Sequence, residues 1–348
     1  MQTQDFLTDY QQKAKSYYQN FFHNWQNEAD QTGEIPSQIL DKFTTLYPKG
    51  KQFRGALVVL AYKMAGGKKQ SCIYKASTLI EIFHTAILVA DDIFDQDDLR
   101  RDQATIHKQW AEQTSSSYGQ NMAMITTIVG MYLAPLVLAG TNFSASTKQK
   151  VLDHFFKTCI EVGWGEALDI STSYQSFKQK RKSAQTIHDL KTVNYSGVLP
   201  LQLGAMLAEN TDKKYLANLE KYGQCLGRIF QIQDDIIGSF GDETKSGKAV
   251  SSDITQARWT ILMEILYQKL NHQEKKLIIK LFNREKRNNQ DIAKVKTLMQ
   301  QYKVIADVQA KAQNYLDEGL QLVPQLTTNK NHQDTLKNLL EFMLNRSK

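Results

Sequence analysis

Residues 80–90 read IEIFHTAILVA and run straight into DDIFDQDDLRR at 91–101. No other junction in the chain limits the fold as much. The first stretch is apolar enough to be a buried helix, and the five aspartates after it require that helix to end at a surface or a cavity. If the helix carries on through the junction, Asp91 and Asp95 lie one turn apart on one face. Two stacked carboxylates repel unless a cation sits between them. Mg²⁺ often takes only one or two protein carboxylates and fills its shell with phosphate oxygens. Arg100 and Arg101 then supply the planar donors that grip phosphate with two hydrogen bonds.

The plain alternative is a solvated acidic helix end. Asp is a poor helix former, and negative charge opposes the helix dipole at a C-terminus, so a ligand has to offset both costs. An EF-hand is excluded, because no Gly holds the turn position and no Glu closes a twelve-residue loop. A second acidic site strengthens the case. Residues 230–241 read FQIQDDIIGSFG, where Asp234 and Asp235 again end an apolar run and Gln231 shares their face. Together the two clusters suggest helices facing each other across a gap sized for metal ions and a diphosphate.

Only five Pro and 18 Gly interrupt 348 residues, and no alternating β-branched runs recur, so the expected fold is all-α, a single helical domain over 1–348 built around a cavity. The first helix occupies residues 1–30, and Pro36 and Pro48 bracket a second. A formal charge of +7 and a pI near 9.0 admit nucleic acid, but no finger, recognition-helix or RNA-binding signature accompanies them, and small anionic substrates suit the balance. Three dispersed cysteines, Cys72, Cys159 and Cys225, fit a reducing, cytoplasmic setting. The N-terminus has acidic residues and no apolar core, so it does not read as a signal peptide. The charge-free stretch Tyr118 to Thr147 is expected to be a fully buried core helix rather than a membrane span, since its apolar runs fall short of the roughly 20 residues a bilayer needs.

Several cations stand where an anion would need them. Lys51 and Arg54 lie three apart in YPKGKQFRG, which reads as an anion clamp or as a solvated basic turn. His84 is two turns before Asp91 on the same face; such histidines are ordinarily satisfied core residues, and its position is what singles it out. Ser171 to His188 reads as a flexible basic segment. Lys191 and Thr192 precede Gly197 and Pro200, an interruption that would kink a helix and free carbonyls. Gly241 to Asp253, with Lys245 and Lys248, reads as a mobile flap. The basic run Lys275 to Arg287 reads as a solvated loop between helices.

The motifs GKQFR, EIFHTAILVADDIFDQDDLRR, LKT, FQIQDDIIGSFGDETKSGK and SDITQAR resemble, in order and approximate spacing, those of the trans-isoprenyl diphosphate synthases. The resemblance runs from about residue 45 to 260. It implies an all-α, usually homodimeric enzyme that joins isopentenyl diphosphate head to tail to an allylic diphosphate. By position, Asp91, Asp95 and Asp234 would bind three Mg²⁺, with Asp235 in support. Arg100, Lys191 and Lys248 would hold the allylic diphosphate, and Lys51, Arg54, His84 and Arg101 the isopentenyl diphosphate. Gln231 and Thr192 would turn oxygen dipoles to the carbocation. The chain departs from the family at Asp102 and Gly238, at Gly55 where Pro is common, at Glu166 where Gln is usual, and at Arg258 where the last basic residue of the substrate site is usually Lys.

In this family, aromatics four and five residues before the first Asp shorten the product. Here those positions are Ile87 and Ala86, which implies geranylgeranyl length or longer, with Phe83 or Tyr132 as a deeper floor. A farnesyl diphosphate synthase, a subunit of a heteromeric synthase and a peptide prenylase are the alternatives. The survival of both acidic motifs argues against the subunit, and Lys51, Arg54 and His84 against the prenylase.

Overall fold

The computed structural model describes residues 3–47, 50–101, 103–174, 184–241, 251–284 and 287–346. Pro48, Asp102, Lys245, Lys248, Glu285 and Lys286, with most of the expected flap and part of the 171–188 segment, lie outside these residues. Among the described residues the chain is helical throughout, apart from one two-stranded ribbon. Its contacts divide it into two compact units, each assembled from separate stretches of sequence.

The first unit comprises Met1–Phe155, Pro200–Leu216 and Asn329–Thr335. Helix α1 spans Thr3–Thr32, and α2, Glu34–Leu46, carries Pro36 in its first turn, where no backbone N–H is required. Helix α3, Phe53–Met64, buries every residue from Gly55 to Tyr62, as its unbroken apolar run predicts. Helix α4, Gln70–Phe94, is the acidic-motif helix, with buried residues all along its length. After it, β1 (Leu99–Arg100) pairs antiparallel with β2 (Gln103–Ala104). Then come α5 (Ile106–Ala111), α6 (Ser116–Ala139) and α7 (Ala145–Tyr174), whose later part belongs to the second unit. Helix α6 runs close against α4 at Gly130, where a Cβ would lie 3.0 Å from that of Ala86 and 2.4 Å from the Phe43 ring.

The charge-free stretch is not fully buried, contrary to expectation. Helix α6 exposes Ile125, Ile128, Tyr132 and Leu136, one continuous stripe at helical spacing. Hydropathy alone cannot separate a core face from an apolar face left open. Helices α4 and α6 are both long and apolar enough to cross a membrane by composition; α4 is mostly buried among its neighbours and α6 about half buried.

The second unit comprises Phe156–Leu199, Ala217–Thr328 and Leu336–Lys348. Short α8 (Ala184–His188) passes into a π-helical segment, Asp189–Val198, and then into α9 (Leu199–Leu207), which belongs to the first unit from Pro200 on. The interruption expected near Gly197 and Pro200 thus takes the form of widened helical turns. Helix α10 (Lys213–Phe240) carries the second motif. It is followed by α11 (Ser252–Thr255), α12 (Ile261–Lys269), α13 (His272–Phe282), α14 (Asn289–Gln301), α15 (Val304–Leu326) and α16 (Lys330–Leu344). The basic run from Lys275 is helix as far as Phe282, because its apolar residues fall at helical spacing and a capping box, Asn271 with Glu274, fixes the start of α13.

Candidate active site

Helix α4 sorts its side chains by face. Asp91 is half-buried, and Asp95 closes the helix with its N–H on the Asp91 carbonyl at 2.8 Å. Counting back in helical steps, Ile87, Leu88 and His84 are also only partly buried, so they share this more open face. Asp92 points the other way. It is 1 % exposed and accepts from Arg100 Nε at 2.6 Å. Burial pushes its carboxyl up to about 6 against the pull of Arg100. Arg100, expected on substrate phosphate, is therefore committed to Asp92 in this conformation. Arg101, at a left-handed φ of 53°, donates to the Leu46 carbonyl at 3.2 Å and lies against Gly50, where a Cβ would meet its guanidinium at 2.9 Å.

A buried carboxylate that sequence reasoning missed lies among the basic residues. Glu81 is 5 % exposed and accepts the Gly55 N–H at 2.7 Å. Burial raises its pKa, while the charges of Arg54 and Arg101 pull the other way. His84 feels burial first and then Arg54, Arg101 and Arg100, which together hold it well below its ordinary pKa and leave the ring neutral. Arg54, His84, Arg100 and Arg101 thus occupy one neighbourhood, while Lys51 is exposed just before α3. The signal for Glu81 was present as the lone acid in an otherwise apolar run. The same contact accounts for Gly55: a proline would remove the N–H given to Glu81, and any Cβ would lie 2.0 Å from the Tyr10 hydroxyl.

In the second unit, Lys191 sits in the π-helical segment between two acids, 2.8 Å from Glu166 and 2.8 Å from Asp169. Burial would raise Asp169, but Lys191 and Arg258 hold it below the usual carboxylate range. Glu166 is therefore an ion-pair partner of Lys191, a role the usual Gln would not play. Thr192, next along, is half-buried. Two backbone contacts fix this segment. A Cβ at Gly165 of α7 would lie 2.4 Å from the Lys191 nitrogen, and one at Gly197 would lie 2.1 Å from the Gly223 carbonyl oxygen of α10. Only glycine permits such approach, and π-helical turns recur at functional sites.

The adjacent aspartates on α10 also diverge. Asp234 is the open one, its side chain 40 % exposed, and Arg346 pairs with it at 2.6 Å while lying 4.5 Å over the Phe230 ring. Asp235, grouped with the metal ligands from sequence, is turned inward at 3 % exposure. It accepts from Gln231 Nε2 at 2.8 Å and from the Ile261 N–H at 3.2 Å, and His188 Nε2 stands 3.5 Å away. Burial pushes its carboxyl up to about 7. Its visible work is to fix Gln231 and the start of α12.

Gly238, where the family often has a third Asp, is not simply a missing ligand. A Cβ there would lie 2.4 Å from Asp253 Oδ2, so a carboxylate from α11 fills the space one turn beyond Asp234. Arg258 lies 3.9 Å from Asp253 and donates to Gln256 at 2.8 Å. Lys248 lies outside the described residues. These hard carboxylate oxygens suit Mg²⁺, and a guanidinium already stands as the cation against Asp234. Among the described residues no three His, Cys, Asp or Glu side chains form a ready-made cage.

The residues assigned to chain length separate as well. Phe83 is 6 % exposed and packs edge-on against Phe155, centroids 5.1 Å apart. Ile87 is on the half-open face, whereas Ala86 is fully buried against Gly130 and lines no open space. Tyr132, at 72 % exposure, is no floor within this chain.

The polyprenyl synthetase family pattern matches residues 37–299. A geranylgeranyl diphosphate synthase of Saccharolobus solfataricus is 28 % identical over 306 residues, 86 % of this chain and 87 % of that protein. One from Sulfolobus acidocaldarius is 25 % identical over 96 % of this chain and 100 % of its own. Among solved structures, a geranylgeranyl pyrophosphate synthase from Corynebacterium glutamicum, complexed with isoprenyl diphosphate and magnesium, superposes with a TM-score of 0.86 at 20 % identity, over 99 % of this chain and 100 % of its own.

Proposed function

Because the chain belongs to the polyprenyl synthetase family, we propose that it is a trans-prenyl diphosphate synthase that carries its product to geranylgeranyl length or beyond. The observation that carries this reading is the grouping of Arg54, Arg100 and Arg101 around His84, with Glu81 beside Arg54 and Arg101, near the Asp91 face of the same unit. A chemistry with one diphosphate needs only the acidic motif. A second basic grip answers a second diphosphate.

When bound, Mg²⁺ neutralises the leaving diphosphate; Asp91, Asp95 and Asp234 are the proposed ligands, for three ions. Lys191, Lys248 and Arg258 hold the same diphosphate, joined by Arg100 if it leaves Asp92. Lys51, Arg54, Arg101 and neutral His84 hold isopentenyl diphosphate. Such fixed donors and charges act on the developing charge without reorganising at the moment of reaction. Thr192 and Gln231 turn oxygen dipoles toward the allylic cation, Gln231 being steadied by its bond to Asp235. The new bond joins the allylic carbon to the isopentenyl double bond, and the proton then lost passes to an oxygen of the departed diphosphate.

The purified chain, given Mg²⁺, labelled isopentenyl diphosphate and dimethylallyl, geranyl or farnesyl diphosphate, is expected to yield products longer than farnesyl, and EDTA to abolish them. Products that stop at farnesyl would keep the reaction and overturn the length; no product from any primer would overturn both.

Two further expectations concern metal. Arg346 competes for Asp234, so Arg346→Ala should lower the Mg²⁺ concentration needed for half-maximal binding in calorimetry; an unchanged or weaker isotherm would remove the competition. Asp253 serves in place of a third motif Asp. Asp253→Ala should weaken Mg²⁺ binding by about 10- to 100-fold, the range for residues supporting a metal site. Adding Gly238→Asp to that variant should restore it, whereas failure of the double variant to recover would show that Asp253 acts elsewhere.

The open stripe Ile125, Ile128, Tyr132 and Leu136 supports a homodimer, since a second copy of the chain would cover an apolar face that water otherwise meets. Free Cys72, Cys159 and Cys225 suit a cytoplasmic enzyme.

A further inference from the structure

The first unit contains a cavity of about 470 Å³ that shares no residue with either acidic motif or with the basic grip. It opens between α1, α3, the start of α4 and the first turn of α16, and its volume falls within the range of small-molecule sites. Part of its wall is apolar. Tyr10 and Tyr74 stack with centroids 6.1 Å apart and planes 26° apart, giving a flat aromatic side, and Val59 and Leu60 of α3 give an aliphatic one.

Its polar groups stand together. Lys63 donates to the Tyr74 hydroxyl at 3.2 Å and lies 5.5 Å from the centre of that ring. His332 faces the same space, and its Nδ1 is buried with no hydrogen-bond partner among the described residues. Burial, and then the charge of Lys63, hold His332 below its ordinary pKa, so it is a neutral ring with a nitrogen to satisfy. The first turn of α16, a 15-residue helix, adds the positive end of its dipole. The carboxylate in the lining, Asp9, is paired with Lys13 at 2.7 Å. Lys63 is thus left as the cation whose charge no lining carboxylate balances.

We propose that this cavity binds an amphipathic anion with a single charged head and a short apolar body, the head on Lys63 and His332 and the body against Tyr10, Tyr74, Val59 and Leu60. A buried imidazole nitrogen without a partner is costly, and a ligand head can satisfy it where the surrounding apolar groups do not. With its one carboxylate already paired, the cavity has no ligand set for a metal–diphosphate complex, so the head is a carboxylate or phosphate monoester bound without metal. Alkyl carboxylates and prenyl monophosphates share this chemistry.

The test is calorimetry on the full chain in EDTA, with decanoate and geranyl monophosphate as probes and with decanol and inorganic phosphate as headless and bodiless controls. One saturable site is expected for a probe with both parts, and which of the two binds tighter identifies the natural head. Lys63→Gln should weaken it about tenfold, which is about 1.4 kcal/mol, and Asp234→Ala should leave it unchanged. Val59→Phe and Thr335→Met, from different helices, should each fill the cavity and abolish binding in protein that keeps its helical circular dichroism, with prenyl synthesis retained. Decanol binding as tightly as decanoate, loss of the site in Asp234→Ala, or no saturable binding of either probe would overturn the proposal.

Discussion

Asp234→Ala is expected to lower kcat/KM by about 10³-fold, the upper range for removing one preorganised electrostatic contact to a developing charge. The reasoning starts from exposure. Of the neighbouring aspartates on α10, Asp235 is enclosed and bonded to Gln231 and Ile261, whereas Asp234 is open and has a cation on it. An allylic carbon–oxygen bond breaks slowly unless the leaving diphosphate is neutralised, and a lost carboxylate weakens the hold on the ions that neutralise it. Asp91→Ala should cost a similar factor, because Asp91 is the half-open acid of its own pair while Asp92 is sealed under Arg100. Steady-state rates at saturating Mg²⁺ decide the matter. A loss under tenfold at Asp234, in folded protein, would mean that the open acid is not a ligand.

The second large effect is on product length. Ile87→Phe should shorten the main product by at least one five-carbon unit, because Ile87 lies one turn below Asp91 on the half-open face of α4. A ring there narrows the path a growing chain would take. Spacing alone favours Ala86 as strongly, but Ala86 is sealed against Gly130 of α6. Ala86→Phe therefore forces a ring into a packed helix contact, at about 1–3 kcal/mol of stability. Chromatography of dephosphorylated products, with a denaturation curve for each variant, separates the two effects. An unchanged product distribution in Ile87→Phe would put the limit on length elsewhere, with Phe83 and its partner Phe155 the next residues to alter.

Both predictions rest on a distinction that sequence cannot draw. The all-α class and the helices that end at the two acidic motifs follow from local periodicity and from charge set against apolar runs, and both are present in the structure. Which member of each Asp pair faces outward is settled by partners beyond the end of its own helix. Asp92 is claimed by Arg100 of the first ribbon strand, and Asp235 by the backbone of Ile261. Arg346 reaches Asp234 from 112 positions away. Asp253 at Gly238, and the open stripe of α6, were likewise hidden. A pattern of hydropathy records that a face is apolar and is silent on what covers it.

The contact between Gly197 and Gly223 bears on how such a site survives sequence drift. The π-helical segment with Lys191 and the helix with Asp234 meet there through peptide groups, with no side-chain layer between them. Their spacing is set by main-chain atoms, which every substitution elsewhere leaves in place. What evolution cannot add at this joint is a single methyl group.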